Sequence, residues 1–134
     1  MRIVLVNGVF DILHRGHIEH LKQARAMGNR LIVALTEDAF VNKGEGRPIN
    51  CWDDRAAVLD ALYLVDRVFP TPNAMHAIRM HRPHIFCKGI DYAGGDRFTE
   101  AVHAACAEVG AEIRYTTSPK MSATDIIRRS MEIA

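Results

Sequence analysis

Five times along this chain a short run of β-branched and apolar residues gives way to a longer run with helical spacing. That alternation constrains the fold more than any other feature. Strands separated by helices cannot close as hairpins. They pair in parallel, and the helices cross over the faces of the sheet. The spacing predicts strands over residues 3–6, 31–35, 66–69, 84–87 and 112–116, with helices over 17–27, 51–63, 74–81, 98–109 and 123–132. Residues 31–35 are wholly apolar, as suits a strand covered on both faces. The expectation is an α/β fold: a single domain over 1–134, whole or part of a longer protein, with a five-stranded parallel sheet and helices on both faces.

Local signals set the ends of these elements. Gly28 and Gly110 are expected to stop the first and fourth helices, and Pro70 to close the third strand. Asn50 and Asn73 are placed to cap the helices that follow them. Ser122, with Asp125 three residues on, is placed to open the last. In the 51–63 helix, Ala57, Val58, Leu59 and Leu62 are expected to face inward.

Charge and cysteine content narrow the function. Seventeen Lys and Arg against sixteen Asp and Glu give a net charge of +1, which excludes a chain-wide basic field, so no nucleic-acid partner is expected. No apolar run approaches the roughly 20 residues of a membrane span, and no secretory leader is evident. The expected setting is cytoplasmic, with no membrane partner. Cys51, Cys87 and Cys106 form no CxxC pair. They are expected as three buried thiols, with no disulfide and no metal site.

In a parallel α/β sheet, ligands gather at the carboxyl ends of the strands. The loop after the first strand reads G-V-F-D-I-L-H-R-G-H over residues 8–17. It carries neither GxGxxG nor GxxxxGK[ST], which excludes the dinucleotide fingerprint and the P-loop. It does carry His14 and His17 three residues apart at the mouth of a helix. A helix start offers free backbone N–H groups and a positive dipole end, both suited to phosphate. Gly16 leaves room for a ligand to approach the backbone.

This motif resembles the signature of the HxGH nucleotidyltransferase superfamily, which includes the cytidylyltransferases and has a Rossmann-like fold. The resemblance extends to Arg47-Pro48-Ile49, Arg55, the K-G-I-D-Y run over 88–92 and the S-A-T-D-I-I run over 122–127. It implies that an acceptor phosphate or phosphonate oxygen attacks the α-phosphorus of a nucleoside triphosphate and pyrophosphate leaves. No covalent enzyme intermediate is needed, since the acceptor is already an anionic nucleophile. Mg²⁺ is expected to arrive with the triphosphate.

By the same resemblance, His14, His17 and Lys43 are catalytic. Gly8, Val9, Phe10, Asp11, Gly16, Arg55, Lys88, Gly89, Asp91, Ser122 and Thr124 bind the nucleotide. Arg47, Asp11 and Lys43 hold the acceptor. A homodimer is expected around the Arg55 helix, with Trp52 and Tyr63 as aromatic anchors. His17 is expected to be neutral because the helix dipole disfavours the imidazolium.

The leading expectation is CMP transfer from CTP to a small phosphorylated or phosphonate acceptor. The alternative is an adenylyltransferase using ATP and a sugar 1-phosphate of the heptose 1-phosphate type. Two features favour the alternative: the 88–92 loop, and Thr117-Ser118 where cytidylyltransferases usually carry Arg-Thr. The 21–28 segment, by contrast, looks like phosphoethanolamine cytidylyltransferases. A non-catalytic nucleotide-binding module is the third reading; intact His14, His17 and Ser122 argue against it.

Overall fold

A computed structural model describes residues 1–89, 97–117 and 122–133. The elements run β1 Ile3–Gly8, α1 Arg15–Ala26, β2 Arg30–Thr36, a 3₁₀ turn Asp38–Phe40, α2 Trp52–Asp60, β3 Arg67–Thr71 and α3 Ala74–His81. Then follow β4 Ile85–Gly89, α4 Arg97–Val109, β5 Glu112–Thr116 and α5 Ala123–Ile133. The five strands form one sheet in the order β3-β2-β1-β4-β5, and every pairing is parallel. This is the expected Rossmann-like architecture. The chain winds from β1 outward to β3, returns across the sheet, and winds outward again to β5. The winding therefore reverses between β1 and β4, and a crevice opens there.

Side-chain alternation divides the core in two. Val4, Val6, Leu31, Val33, Leu35, Ile85 and Cys87 face Leu21 and Ala24 of α1 and Leu59 of α2. Leu5, Ile32, Ala34 and Phe86 face Ala74, Ala77 and Ile78 of α3 and Val102, Ala105 and Cys106 of α4. Both faces of β1, β2 and β4 are therefore buried, as the apolar run at 31–35 predicts.

Several local expectations need correction. Pro70 does not close β3 but lies within it, in register with Leu35. β3 is an edge strand, and its outer side needs no ladder hydrogen bond. Gly28 does not end α1 by a left-handed turn, since α1 closes on Met27 in right-handed geometry. Gly28 is needed for space: a Cβ there would lie 2.6 Å from the Arg2 carbonyl oxygen.

The α2 helix begins at Trp52 on a Cys51 cap that makes no side-chain bond, not on Asn50. Its inner face is Trp52, Arg55, Ala56 and Leu59, the i, i+3, i+4, i+7 set; Ala57 and Val58 face water. Trp52 packs on the core and donates its indole N–H to the Leu35 carbonyl at 3.0 Å. It is thus held by local packing, and Tyr63 is 87% exposed. Of the three free thiols, Cys87 and Cys106 are buried but Cys51 is exposed. Among the described residues, no helix is long and apolar enough to cross a membrane.

Candidate active site

The crevice at the carboxyl end of β1 is a cleft of about 410 Å³. Its floor is the end of β1 and the loop that follows. One wall is the start of α1, another the end of β4, and the mouth is lined by the 43–47 loop and the start of α5. His14, His17, Lys43, Arg47, Lys88, Gly89, Ser122 and Thr124 all line it, with Gly8, Val9, Phe10, Asp11 and Gly16. The topology thus gathers residues as far apart as 8 and 124 into one site.

Phe10 shapes the floor. Its backbone takes a left-handed conformation with φ of 51°, uncommon for a bulky residue and held here by its buried ring. That ring folds back over Gly8, where a Cβ would lie 2.9 Å from Phe10 Cε2. The ring also tilts against His17, 5.1 Å between centroids. Gly8 therefore makes space for Phe10, and Phe10 backs His17.

The two histidines fix each other. His14 is the N-cap of α1, and its Nδ1 accepts the Gly16 backbone N–H at 3.0 Å. His17 Nδ1 accepts the His14 backbone N–H at 3.2 Å. The rings stack 3.8 Å apart. With both Nδ1 atoms acting as acceptors, the ring proton of each neutral histidine sits on Nε2. Burial lowers the pKa of His14. It lowers that of His17 to about 3, with help from His14, His20 and Lys43. Both are neutral Nε2–H donors near neutral pH. The direction agrees with expectation, but the main cause is burial rather than the helix dipole.

Two expected ligand residues turn out to build the site. The Asp11 carboxylate accepts the backbone N–H groups of Ile49 (2.6 Å) and Asn50 (3.1 Å) and the Nε–H of Arg47 at 3.3 Å. Its side chain is fully buried. Asp11 therefore ties the 47–50 segment to the first loop instead of offering its carboxylate to nucleotide or acceptor. Arg55 does not line the cleft. Its guanidinium donates to the carbonyls of Asn50 (3.0 Å) and Val9 (2.9 Å) and to Asp38 at 2.6 Å, with a side chain 1% exposed. It holds the loop that forms the floor, and its donors do not reach a phosphate in the cleft.

Arg47 keeps its place in the cleft. It bonds Asp11 through both side chain and backbone, and donates Nη1–H to Thr124 Oγ1 at 3.1 Å. It thereby joins the first loop to the start of α5. Ser122 Oγ accepts the Asp125 N–H at 3.3 Å, as a helix cap should. Lys88 is buried, and that burial, with Lys43 nearby, lowers its pKa to about 8. Asp91 lies outside the described residues.

Asn7, His20 and Thr36 also line the cleft and were not singled out from the sequence. His20 meets the Thr116 hydroxyl through Nδ1, and burial beside Lys88 lowers its pKa to about 4. Its signal was present: residues 14, 17 and 20 repeat a three-residue spacing that keeps His20 near the His17 side of α1. The cleft thus combines three cationic side chains, two oriented imidazole donors and a helix N-terminus, a set suited to several phosphates at once.

HldE, a bifunctional protein, from Pseudomonas entomophila is 52% identical over 94 residues, covering 67% of this chain. HldE from Shewanella sp. (strain ANA-3) is 52% identical over 97 residues, covering 68%. The chain spans about a fifth of the length of these relatives, since 20% of each is matched. A crystal structure of the lipopolysaccharide core biosynthesis protein from Thermoplasma volcanium superposes with a TM-score of 0.70 at 29% identity. That match covers 91% of this chain and 99% of that one. A pantoate-beta-alanine ligase from Francisella tularensis shares the fold, with a TM-score of 0.63 at 16% identity over 94% of this chain and 65% of its own. The cytidylyltransferase-like family model matches residues 5–129, which takes in every element from β1 to α5, and with it the chain belongs to that family and is a nucleotidyltransferase.

Proposed function

We propose that the chain transfers an adenylyl group from ATP to the phosphate of a sugar 1-phosphate of the heptose 1-phosphate type. The observation that carries this reading is the likeness to HldE at more than half of the matched positions. It joins the K-G-I-D-Y loop and the absent arginine before Ser122, which already resemble heptose 1-phosphate adenylyltransferases. This reverses the order expected from sequence, where CTP and a phosphorylated or phosphonate acceptor came first.

An oxygen of the acceptor phosphate attacks the α-phosphorus in line. The new bond forms there as the bond to the β-phosphate oxygen breaks, and pyrophosphate leaves. Mg²⁺ enters with the triphosphate as part of the substrate. The protein's work is to hold two anions together and to answer the charge that builds on the transferring group. His14 and His17 present Nε2–H to the triphosphate. As neutral donors they add little to ground-state binding and strengthen as charge develops. Lys43 bridges the acceptor and α-phosphate, and Arg47 holds the acceptor. Lys88, Ser122, Thr124 and the start of α5 receive the outer phosphates, while Gly8, Gly16, Gly89 and the Val9–Phe10 backbone give the nucleotide close approach.

The test is pyrophosphate release with ATP or CTP against heptose 1-phosphate, glycerol 3-phosphate and phosphoethanolamine. ATP with the sugar 1-phosphate is expected to give the highest kcat/KM. A clear preference for CTP would restore the cytidylyl reading.

A further inference from the structure

We infer that Asn7 is the residue that reads the acceptor, accepting a hydrogen bond from one of its hydroxyl groups through Oδ1 and so selecting a polyol phosphate over an aminoalkyl phosphate. The inference rests on the sugar 1-phosphate reading above and adds the residue that recognises the sugar.

Asn7 stands near the end of β1 and lines the cleft. Its Nδ2 donates to the Ala34 carbonyl on β2 at 2.9 Å. That bond settles the amide orientation, since a flipped amide would set Oδ1 against a carbonyl oxygen. Oδ1 is therefore left to accept, and the second Nδ2–H remains a donor.

The charged groups around Asn7 are mostly donors. Five of its lining side chains are donors or cations, His14, His17, Lys43, Arg47 and Lys88, and the acceptors beside them are mainly the hydroxyls of Thr36, Ser122 and Thr124. Those donors grip phosphate but cannot orient a hydroxyl that must donate. Asn7 Oδ1 supplies that function. The Thr36 hydroxyl, which gives its proton to the Gly8 carbonyl at 3.2 Å, has lone pairs to accept beside it.

Position favours the acceptor over the ribose of the nucleotide. The Asn7 side chain leans toward β2, in register with Ala34. The loop that follows β2 carries Lys43 and Arg47, the expected acceptor-holding residues. Lys88 and Gly89, expected to bind the nucleotide, end β4 on the opposite side of β1.

The charges of the described residues favour a neutral hydroxyl over an ammonium. Among the described residues lining the cleft, Asp11 is the one carboxylate, and it is buried against Arg47 and two backbone donors. Among the described residues, a substrate ammonium would meet cations and no carboxylate left to answer it, whereas a neutral hydroxyl carries no such cost.

Titration calorimetry on wild type and Asn7→Ala tests this with four probes: heptose 1-phosphate, phosphoethanolamine, inorganic phosphate and ATP. Wild type should bind heptose 1-phosphate at least about tenfold more tightly than phosphoethanolamine. Asn7→Ala should weaken heptose 1-phosphate about tenfold, the worth of one hydrogen bond, and leave inorganic phosphate and ATP within about twofold. Equal weakening of inorganic phosphate would mean that Asn7 only shapes the loop, and would overturn the inference. Weakened ATP binding would assign Oδ1 to the ribose and overturn it equally. So would tighter binding of phosphoethanolamine, or no measurable binding of heptose 1-phosphate to wild type. Turnover is read separately: sugar phosphate bound through Asn7 but no pyrophosphate released from ATP would sink the adenylyl reading and leave the role of Asn7 standing.

Discussion

The imidazole of His17 accepts the backbone N–H of His14 at 3.2 Å, while His14 in turn caps the helix that carries His17. One arrangement thus begins α1, sets the tautomer of both rings and leaves both Nε2–H groups as donors for the cleft. His17→Ala removes the proposed donor to the transferring phosphate along with one half of this cap. We expect kcat to fall roughly 10²–10³-fold with a much smaller change in KM. Stability should fall by about 1 kcal/mol, the usual worth of a cap. Steady-state kinetics together with a urea melt separate the two; an unchanged kcat would remove His17 from the chemistry.

The half-buried histidines set an acid limit. The folded pKa of His17 is about 3 and that of His20 about 4, against 6.5 unfolded. Above pH 6.5 both states are neutral and these groups contribute no pH dependence. Below 6.5 the unfolded chain takes up protons that the folded chain refuses, so stability falls from pH 6.5 toward 3 and then levels. Urea titrations across that range should show the decline, with a shallower slope in His17→Gln. An equal slope in that variant would assign the acid sensitivity elsewhere.

In the proposed reaction, Lys88 is expected to set an alkaline limit. Its ammonium, with a pKa near 8 in the free protein, is lost as pH rises through that value. Attraction for the triphosphate weakens with it. The pH profile of kcat/KM should bend downward near pH 8, and Lys88→Met should lose that bend while showing lower kcat/KM throughout. A profile flat to pH 10 in wild type would contradict the placement of Lys88 against phosphate.

Arg55→Met should act on folding and leave phosphate binding largely alone. It strips the donors from the Val9 and Asn50 carbonyls and leaves Asp38 without its partner. A loss on the order of 3 kcal/mol is expected, read by chemical denaturation. Inorganic phosphate affinity of the folded fraction should drop less than in Lys43→Ala; the reverse ranking would return Arg55 to the ligand.

Gly28→Ala probes the packing of α1 against the start of β1. Its Cβ would meet the Arg2 carbonyl oxygen at 2.6 Å and Val4 Cγ2 at 2.8 Å. Arg2 O already accepts from Asn29 N and Arg30 N, so the backbone there has little room to yield. A destabilisation of about 1–3 kcal/mol is expected, with kcat unchanged because residue 28 is remote from the cleft. A melt equal to wild type would show that the turn can open.

The sequence by itself determined the parallel sheet, its five helices and the loop that holds the chemistry. Those signals are local: alternation and periodicity set the elements. The 8–17 motif packs its glycines, phenylalanine and histidines into ten residues. Even the reciprocal cap between His14 and His17 lies within one helical turn.

Tertiary structure decided which polar groups face the ligand and which hold the loops. Arg55 and Asp11 read as ligand residues because nothing nearby in sequence showed their partners. Arg55 bonds Val9 and Asp11 bonds Ile49, pairs separated by 46 and 38 residues. Asn7 gives no local signal for the same reason, since its amide is oriented by Ala34, 27 residues away. A buried guanidinium or carboxylate is tolerated only where the fold supplies partners. Those partners come from strand order and loop approach, which the local pattern of a chain does not encode.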